Sequence, residues 1–167
     1  MKKIKLFLFF FVFVCVFTLS SCNIKTDGNT LHGFNMRMNE QNPEYSMTDS
    51  GYILDEDMHT LTKYFIINDH NLMLCFGTDE NNGLSSLNIV FDNISEGNTQ
   101  ELEFIKNCIE SYCNDETVSD KLLSDAGFPQ VLYTINMNTI KNKVGNTEIL
   151  IDVTDIGCVI SVVQNTQ

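Results

Sequence analysis

The chain has 167 residues, with 22 acidic and 10 basic side chains and a formal net charge of −12. Such a surface repels a phosphate backbone, which argues against nucleic acid as a partner. No C-x-x-C pair, glycine-rich phosphate loop or G-x-S-x-G elbow occurs. Zinc-ribbon, thioredoxin-like, nucleotide-binding and serine-hydrolase readings therefore have no footing.

The first segment is an export signal. Lys2, Lys3 and Lys5 precede a run of twelve apolar residues, Leu6 to Phe17. A membrane-spanning helix needs roughly 20. Thr18 breaks the run ahead of Leu19-Ser20-Ser21-Cys22, so the order is charged, apolar, then small residues at a cleavage site. Those last four residues resemble the lipobox of bacterial lipoproteins. The resemblance implies cleavage before Cys22 and acylation of its sulfur, the covalent lipid being the expected attachment to the membrane. Positive residues on the N-terminal side keep that end in the cytoplasm and place the rest outside. The expected organisation is a signal over 1–21, the lipidated Cys22 and a short tether over 22–29, and one extracytoplasmic domain over 30–167. The mature chain then has 146 residues, seven of them basic against 22 acidic. Its net charge near −15 suits a cationic peptide, a basic envelope protein or a metal ion.

Thr30 to Gln41 carries Leu31, Phe34 and Met38 at helical spacing and stops before Pro43. Strand-like runs follow at Gly51–Leu54, Leu61–Ile67, Leu72–Gly77 and Leu87–Phe91. The turn residues Asn68-Asp69-His70-Asn71 separate the second and third, so the set reads as an antiparallel meander. Asn98–Cys113 is the strongest helix. Asn98 and Glu101 are spaced as a capping box, and Ile105, Ile109 and Tyr112 continue the apolar stripe from Leu102. A second helix spans Thr117–Ala126, with Gly127 at the left-handed position after it. Val131 to Asn138 alternates as a strand, Lys141–Asn146 reads as a turn, and Ile149–Val153 and Cys158–Val163 are further strands. The fold class is α+β: an antiparallel sheet of about six or seven strands with helices on one face.

The two halves echo one another, which suggests two tandem helix-plus-meander repeats. Leu74–Asp79 matches Leu150–Asp155, Leu87–Asn93 matches Val159–Asn165, and Phe34 matches Phe104. Besides Cys22 and the signal's Cys15, four cysteines remain. Cys75 and Cys158 are the pair expected to bridge if any does; the bland reading, which is favoured, is four buried free thiols.

Two clusters suggest chemistry. Asp55, Glu56 and Asp57 with His59 place four ligand-type side chains in five residues. On an extended chain Asp55, Asp57 and His59 would share one side, as a divalent cation site requires. Asp92, Gly97 and Glu103 match three positions of a calcium loop, but Ile94 stands where an oxygen is needed. A strand-to-helix turn is the simpler account. Tyr52, Tyr64, Tyr133, Phe65 and Phe76 are expected in the core rather than on a binding face.

The leading expectation is a non-catalytic module that presents an open sheet face, with Thr134, Asn136, Asn138 and Asp152, to a protein or peptide. A small metal-dependent hydrolase using Asp55, Asp57 and His59 is one alternative. A structural envelope component is the other.

Overall fold

The computed structural model describes residues 29–81, 83–134, 139–155 and 157–164. Helix α1 (Leu31–Gln41) leads through a 3-10 turn (Pro43–Tyr45) to strands β1 (Ile53–Asp55), β2 (Thr60–Ile67), β3 (His70–Thr78) and β4 (Leu84–Phe91). Helices α2 (Thr99–Cys113) and α3 (Glu116–Asp125) follow. A 3-10 turn (Gln130–Tyr133) then precedes β5 (Ile140–Val144), β6 (Thr147–Val153) and β7 (Cys158–Gln164). All seven strands form one antiparallel sheet in the order β1-β2-β3-β4-β7-β6-β5. The fold class is α+β, as the sequence indicates.

Helix ends are set by local chemistry. The Thr30 hydroxyl accepts from the Gly33 N–H, and the Asp115 carboxylate from Val118 N–H. These are N-caps that satisfy orphan donors. Helix α3 stops at Gly127, whose φ is +75°. Gly127 N–H donates to Ser124 O and Phe128 N–H to Leu123 O, the paired bonds of a Schellman motif. At α2 the expected capping box takes another form. Asn98 Oδ1 accepts from Ser95 N–H and Oγ, and its Nδ2 reaches Glu101 Oε1 at 3.5 Å.

One face of the sheet is the core. Leu72, Leu74, Phe76, Leu87, Ile89, Phe91, Ile149, Ile151, Val153, Cys158, Ile160 and Val162 alternate inward along four strands and are buried. Against them pack Phe34 and Met38 of α1, Phe104, Ile105, Cys108, Ile109 and Tyr112 of α2, and Leu122 and Leu123 of α3. Phe34 meets Phe76 edge-on at 4.8 Å, and Phe104 lies 5.3 Å from Phe65. Burying each such side chain is worth about 1.5–3 kcal/mol. A polar chain closes the inner margin beside β1. Tyr52 Oη donates to Asn35 Oδ1, Asn35 Nδ2 donates to Asp49 Oδ1, and Asp49 Oδ2 meets His32 Nδ1, each at 2.8 Å.

Several expectations change. Val131 to Thr134 is not strand. Val131 and Leu132 are both buried in the 3-10 turn, which alternation forbids, and Thr134 sits in an exposed bend. The expected turn at Lys141–Asn146 is instead β5 plus the two residues that turn into β6. Asn142 takes an inward position there, where its amide donates to Leu122 O at 3.3 Å. The favoured reading of free thiols holds: Cys75 and Cys158 do not bridge and all four described thiols are free, although Cys75 is only half-buried. Cys75 points to the outer face and Cys158 to the core, so the sheet itself separates them. The halves do repeat in element order, helix before meander. Phe34 and Phe104 are both core, but the matched strand letters fall on opposite faces: buried Leu74 and Phe76 align with Leu150 and exposed Asp152, and buried Leu87 with exposed Val159. A one-residue slip inverts every side chain of a strand, so the strand letters mark no shared core position.

Candidate binding face

Among the described residues no helix covers the second face of the sheet, and register arranges its side chains in rows across the strands. One row runs Tyr64, Met73, Val90, Val159 and Asp152. Its neighbour runs Thr62, Cys75, Asn88, Ser161, Leu150 and Lys141. The first is apolar over four strands; the second is polar at its centre, where Ser161 Oγ donates to Asn88 Oδ1 at 2.7 Å. Tyr64 is 65% exposed and Val159 36%. Ile66, beside them on β2, is 74% exposed. Of the aromatics expected in the core, Tyr64 is therefore the exception, because it occupies an outward position of β2.

A groove of about 470 Å³ lies along this row. Tyr64, Met73, Val90 and Val159 line its floor; Asn71, Asp92, Thr154 and Gly157 close one end. That volume falls within the roughly 300–1,000 Å³ typical of ligand sites. The end wall is built by backbone and carboxylate together. Asn71 donates to Asp92 Oδ2 through its N–H at 3.1 Å and its amide at 3.0 Å. These bonds hold the Asp92 carboxyl below its ordinary range, so it stays ionised at neutral pH. Both fall on Oδ2, and the residue is exposed. Gly157 is required at the wall: a Cβ there would stand 2.7 Å from the Phe91 carbonyl oxygen.

Behind the wall, on the helix side, His70 and Asn98 tie the β2–β3 hairpin to the start of α2. Asn98 Nδ2 lies 3.1 Å from His70 Nε2, and Glu101 Oε1 is 3.9 Å from the same nitrogen. Glu101 is fully buried, and its Oε2 has no hydrogen-bond partner. Its position in the first turn of α2 gives it the favourable end of the helix dipole. The cluster braces the groove wall and holds no nucleophile.

The residues singled out from sequence are scattered. Asp152 lies on the open face, next to Val159 across the β6–β7 ladder. Thr134 lies in the bend after the second 3-10 turn, and Asn136 and Asn138 lie outside the described residues. Asp55 ends β1, where its Oδ1 accepts from Met58 N–H at 3.0 Å; Asp57 lies in the turn that follows. His59 has a φ of +51°. Among the described residues, no three His, Cys, Asp or Glu side chains converge to hold a metal ion. Asp92 serves the groove wall and Glu103 is exposed on α2, so neither contributes to a shared calcium shell. The sequence reading missed the apolar row entirely, because its members come from four strands and only the register aligns them.

The buried thiols are inert. Burial pushes the Cys113 and Cys158 thiols up to about 12, and holds that of Cys108 well above its ordinary value. Among the described residues no helix is long and apolar enough to cross a membrane. In comparisons with known proteins, no family model, no curated protein and no solved structure matches this chain.

Proposed function

We propose that this chain is a membrane-anchored extracytoplasmic lipoprotein of the bacterial cell envelope. In this reading its domain is a non-catalytic module that binds a protein or peptide on the open face of the sheet. The observation that carries the binding role is the apolar row Tyr64–Met73–Val90–Val159, on a face that no helix of the described residues covers. Apolar surface of this kind marks interaction sites.

The lipobox at Leu19–Cys22 supports the anchor. Asn29 stands seven residues after Cys22, a span of at most about 25 Å when extended. Asn29 is fixed at the start of β4: its amide donates to Leu84 O at 3.0 Å, and its carbonyl accepts from Leu84 N–H. The groove lies near the other end of that strand, roughly 20 Å away at 3.4 Å per residue. An anchor on Cys22 would thus hold the domain by one end and leave the groove facing outward.

Two substitutions test the reading in a bacterial host. Cys22→Ser should abolish incorporation of a labelled fatty acid and release the protein from the membrane fraction; unchanged membrane retention contradicts the anchor. A photo-crosslinking residue at Tyr64 should capture a partner that the same residue at Asp120, on α3, does not. Equal capture at both contradicts the choice of face.

A further inference from the structure

We infer that the groove takes a cationic amphipathic helix of a partner polypeptide, with Asp92 and Asp152 reading its positive charge. The inference rests on the binding role proposed above and names the chemistry of the partner. Three observations lead to it.

The first is the surface offered. The main-chain groups beneath the groove are committed to the β2–β3–β4–β7 ladder. A partner lying on this face cannot add as a strand, because strand addition needs a free edge. It must be read through side chains, as a helix in a groove is read. The second is length. The row crosses four strands, about 14 Å at 4.8 Å per strand. That is between two and three turns of helix at 5.4 Å per turn.

The third is charge. Among the described residues no Lys or Arg lines the groove, and the one charged side chain in its lining is Asp92. Asp152 flanks it at the β6 end of the row, and Asp155 lies in the turn beyond. The nearest lysines on this face, Lys141 and Lys143, belong to the rows beyond, and Lys141 is paired with Glu148 at 2.7 Å. An apolar floor with carboxylates at two margins matches a helix with one apolar stripe and flanking Lys or Arg. The same carboxylates oppose an anionic lipid surface and a second copy of this acidic chain.

The test uses the chain from Asn23 onward, whose core is drawn from residues between Phe34 and Val162. The probes are 14-residue fluorescent peptides with leucines at i, i+3, i+4 and i+7 and with Lys, Gln or Glu at the other positions. The Lys peptide should bind at least tenfold more tightly than the Gln peptide, and the Glu peptide should not bind. Asp92→Asn with Asp152→Asn should reduce the preference for Lys at least fivefold. Glu56→Gln with Asp57→Asn removes the same charge from the β1–β2 turn and should leave the preference within twofold. If both charge-removing pairs weaken it equally, general attraction explains the result and the inference fails.

Val90→Lys with Val159→Lys should abolish binding of every peptide while the circular dichroism spectrum is retained. If the Gln peptide binds as well as the Lys peptide and this pair abolishes both, the face binds without reading charge: the inference falls and the binding role stands. If peptides bind the Val90→Lys and Val159→Lys protein undiminished, both fall. Binding of neutral phosphatidylcholine vesicles that depends on Val90 and Val159, with no peptide binding, would assign the groove to lipid and overturn the inference.

Discussion

The two faces of the sheet are made from the same strands, yet they follow different rules. Apart from His70 at the start of β3, the inward residues of β3 and β4 include Leu72, Leu74, Phe76, Leu84, Leu87, Ile89 and Phe91, all buried. The outward residues of the same strands are Asn71, Met73, Cys75, Gly77, Ser86, Asn88 and Val90. One side is large and, His70 apart, apolar; the other is small and polar except for one row. The inner face is explained by its helices. The outer row of Tyr64, Met73, Val90 and Val159 has no counterpart among the described residues, and that asymmetry points to a function there.

The widest contrast should be in thiol chemistry. Cys75 is half-buried on the outer face; Cys108, Cys113 and Cys158 are buried on the helix side. A thiol reagent under native conditions should label Cys75 orders of magnitude faster than the other three, because burial keeps those neutral and out of reach. Mass spectrometry of timed reactions checks this. Comparable labelling of Cys158 would break the distinction between the faces.

In stability, Phe104→Ala should cost about 3–5 kcal/mol, as large-to-small changes in a packed core do. Val90→Ala on the outer face should cost less than about 1 kcal/mol. Urea titration of the two variants measures the difference. Gly157→Ala falls between them, at roughly 1–3 kcal/mol, because the new methyl must displace the Phe91 carbonyl or the turn that carries it. Its effect should reach the groove as well, weakening peptide binding where Val90→Ala leaves the wall intact.

The smallest effect concerns acid. Hydrogen bonds from Asn35 and His32 hold the Asp49 carboxyl below its ordinary value. A carboxyl lowered on folding contributes stability that is fully present above the unfolded value, near 3.8. That contribution is lost as pH falls through the folded value. Asp49→Asn should therefore lower the midpoint of thermal unfolding at pH 7 slightly and leave it little changed at pH 2.5. A larger loss at pH 2.5 than at pH 7 would reverse the assignment.

Much of this fold is legible in the residues. Alternation places β3, β4, β6 and β7 correctly, and the stripe of Phe104, Ile105, Cys108, Ile109 and Tyr112 places α2. Gly127 marks the end of α3 for a reason of backbone geometry. What was not legible has particular causes. Strand β5 hides because Asn142 stands inward, its polarity met by the Leu122 carbonyl at the end of α3. The segment after Pro129 misleads because apolar and polar letters alternate there, while Val131 and Leu132 are both buried in a 3-10 turn. Asp152 could be placed on an open face from its alternation alone. The row beside it could not, since Tyr64, Met73, Val90 and Val159 are separated by up to 95 positions and meet only through the register of three ladders. In the run Leu87 to Phe91, Val90 is as apolar as its neighbours, so nothing local marks it as outward.

The most direct measurement pairs stability with binding in the protein carrying Val90→Lys and Val159→Lys. The account predicts a thermal midpoint within a few degrees of the unaltered chain, together with loss of binding to the leucine–lysine peptide. A collapsed midpoint would show that these valines belong to a core, and undiminished binding would show that recognition lies elsewhere; either result contradicts the open face as the site of function.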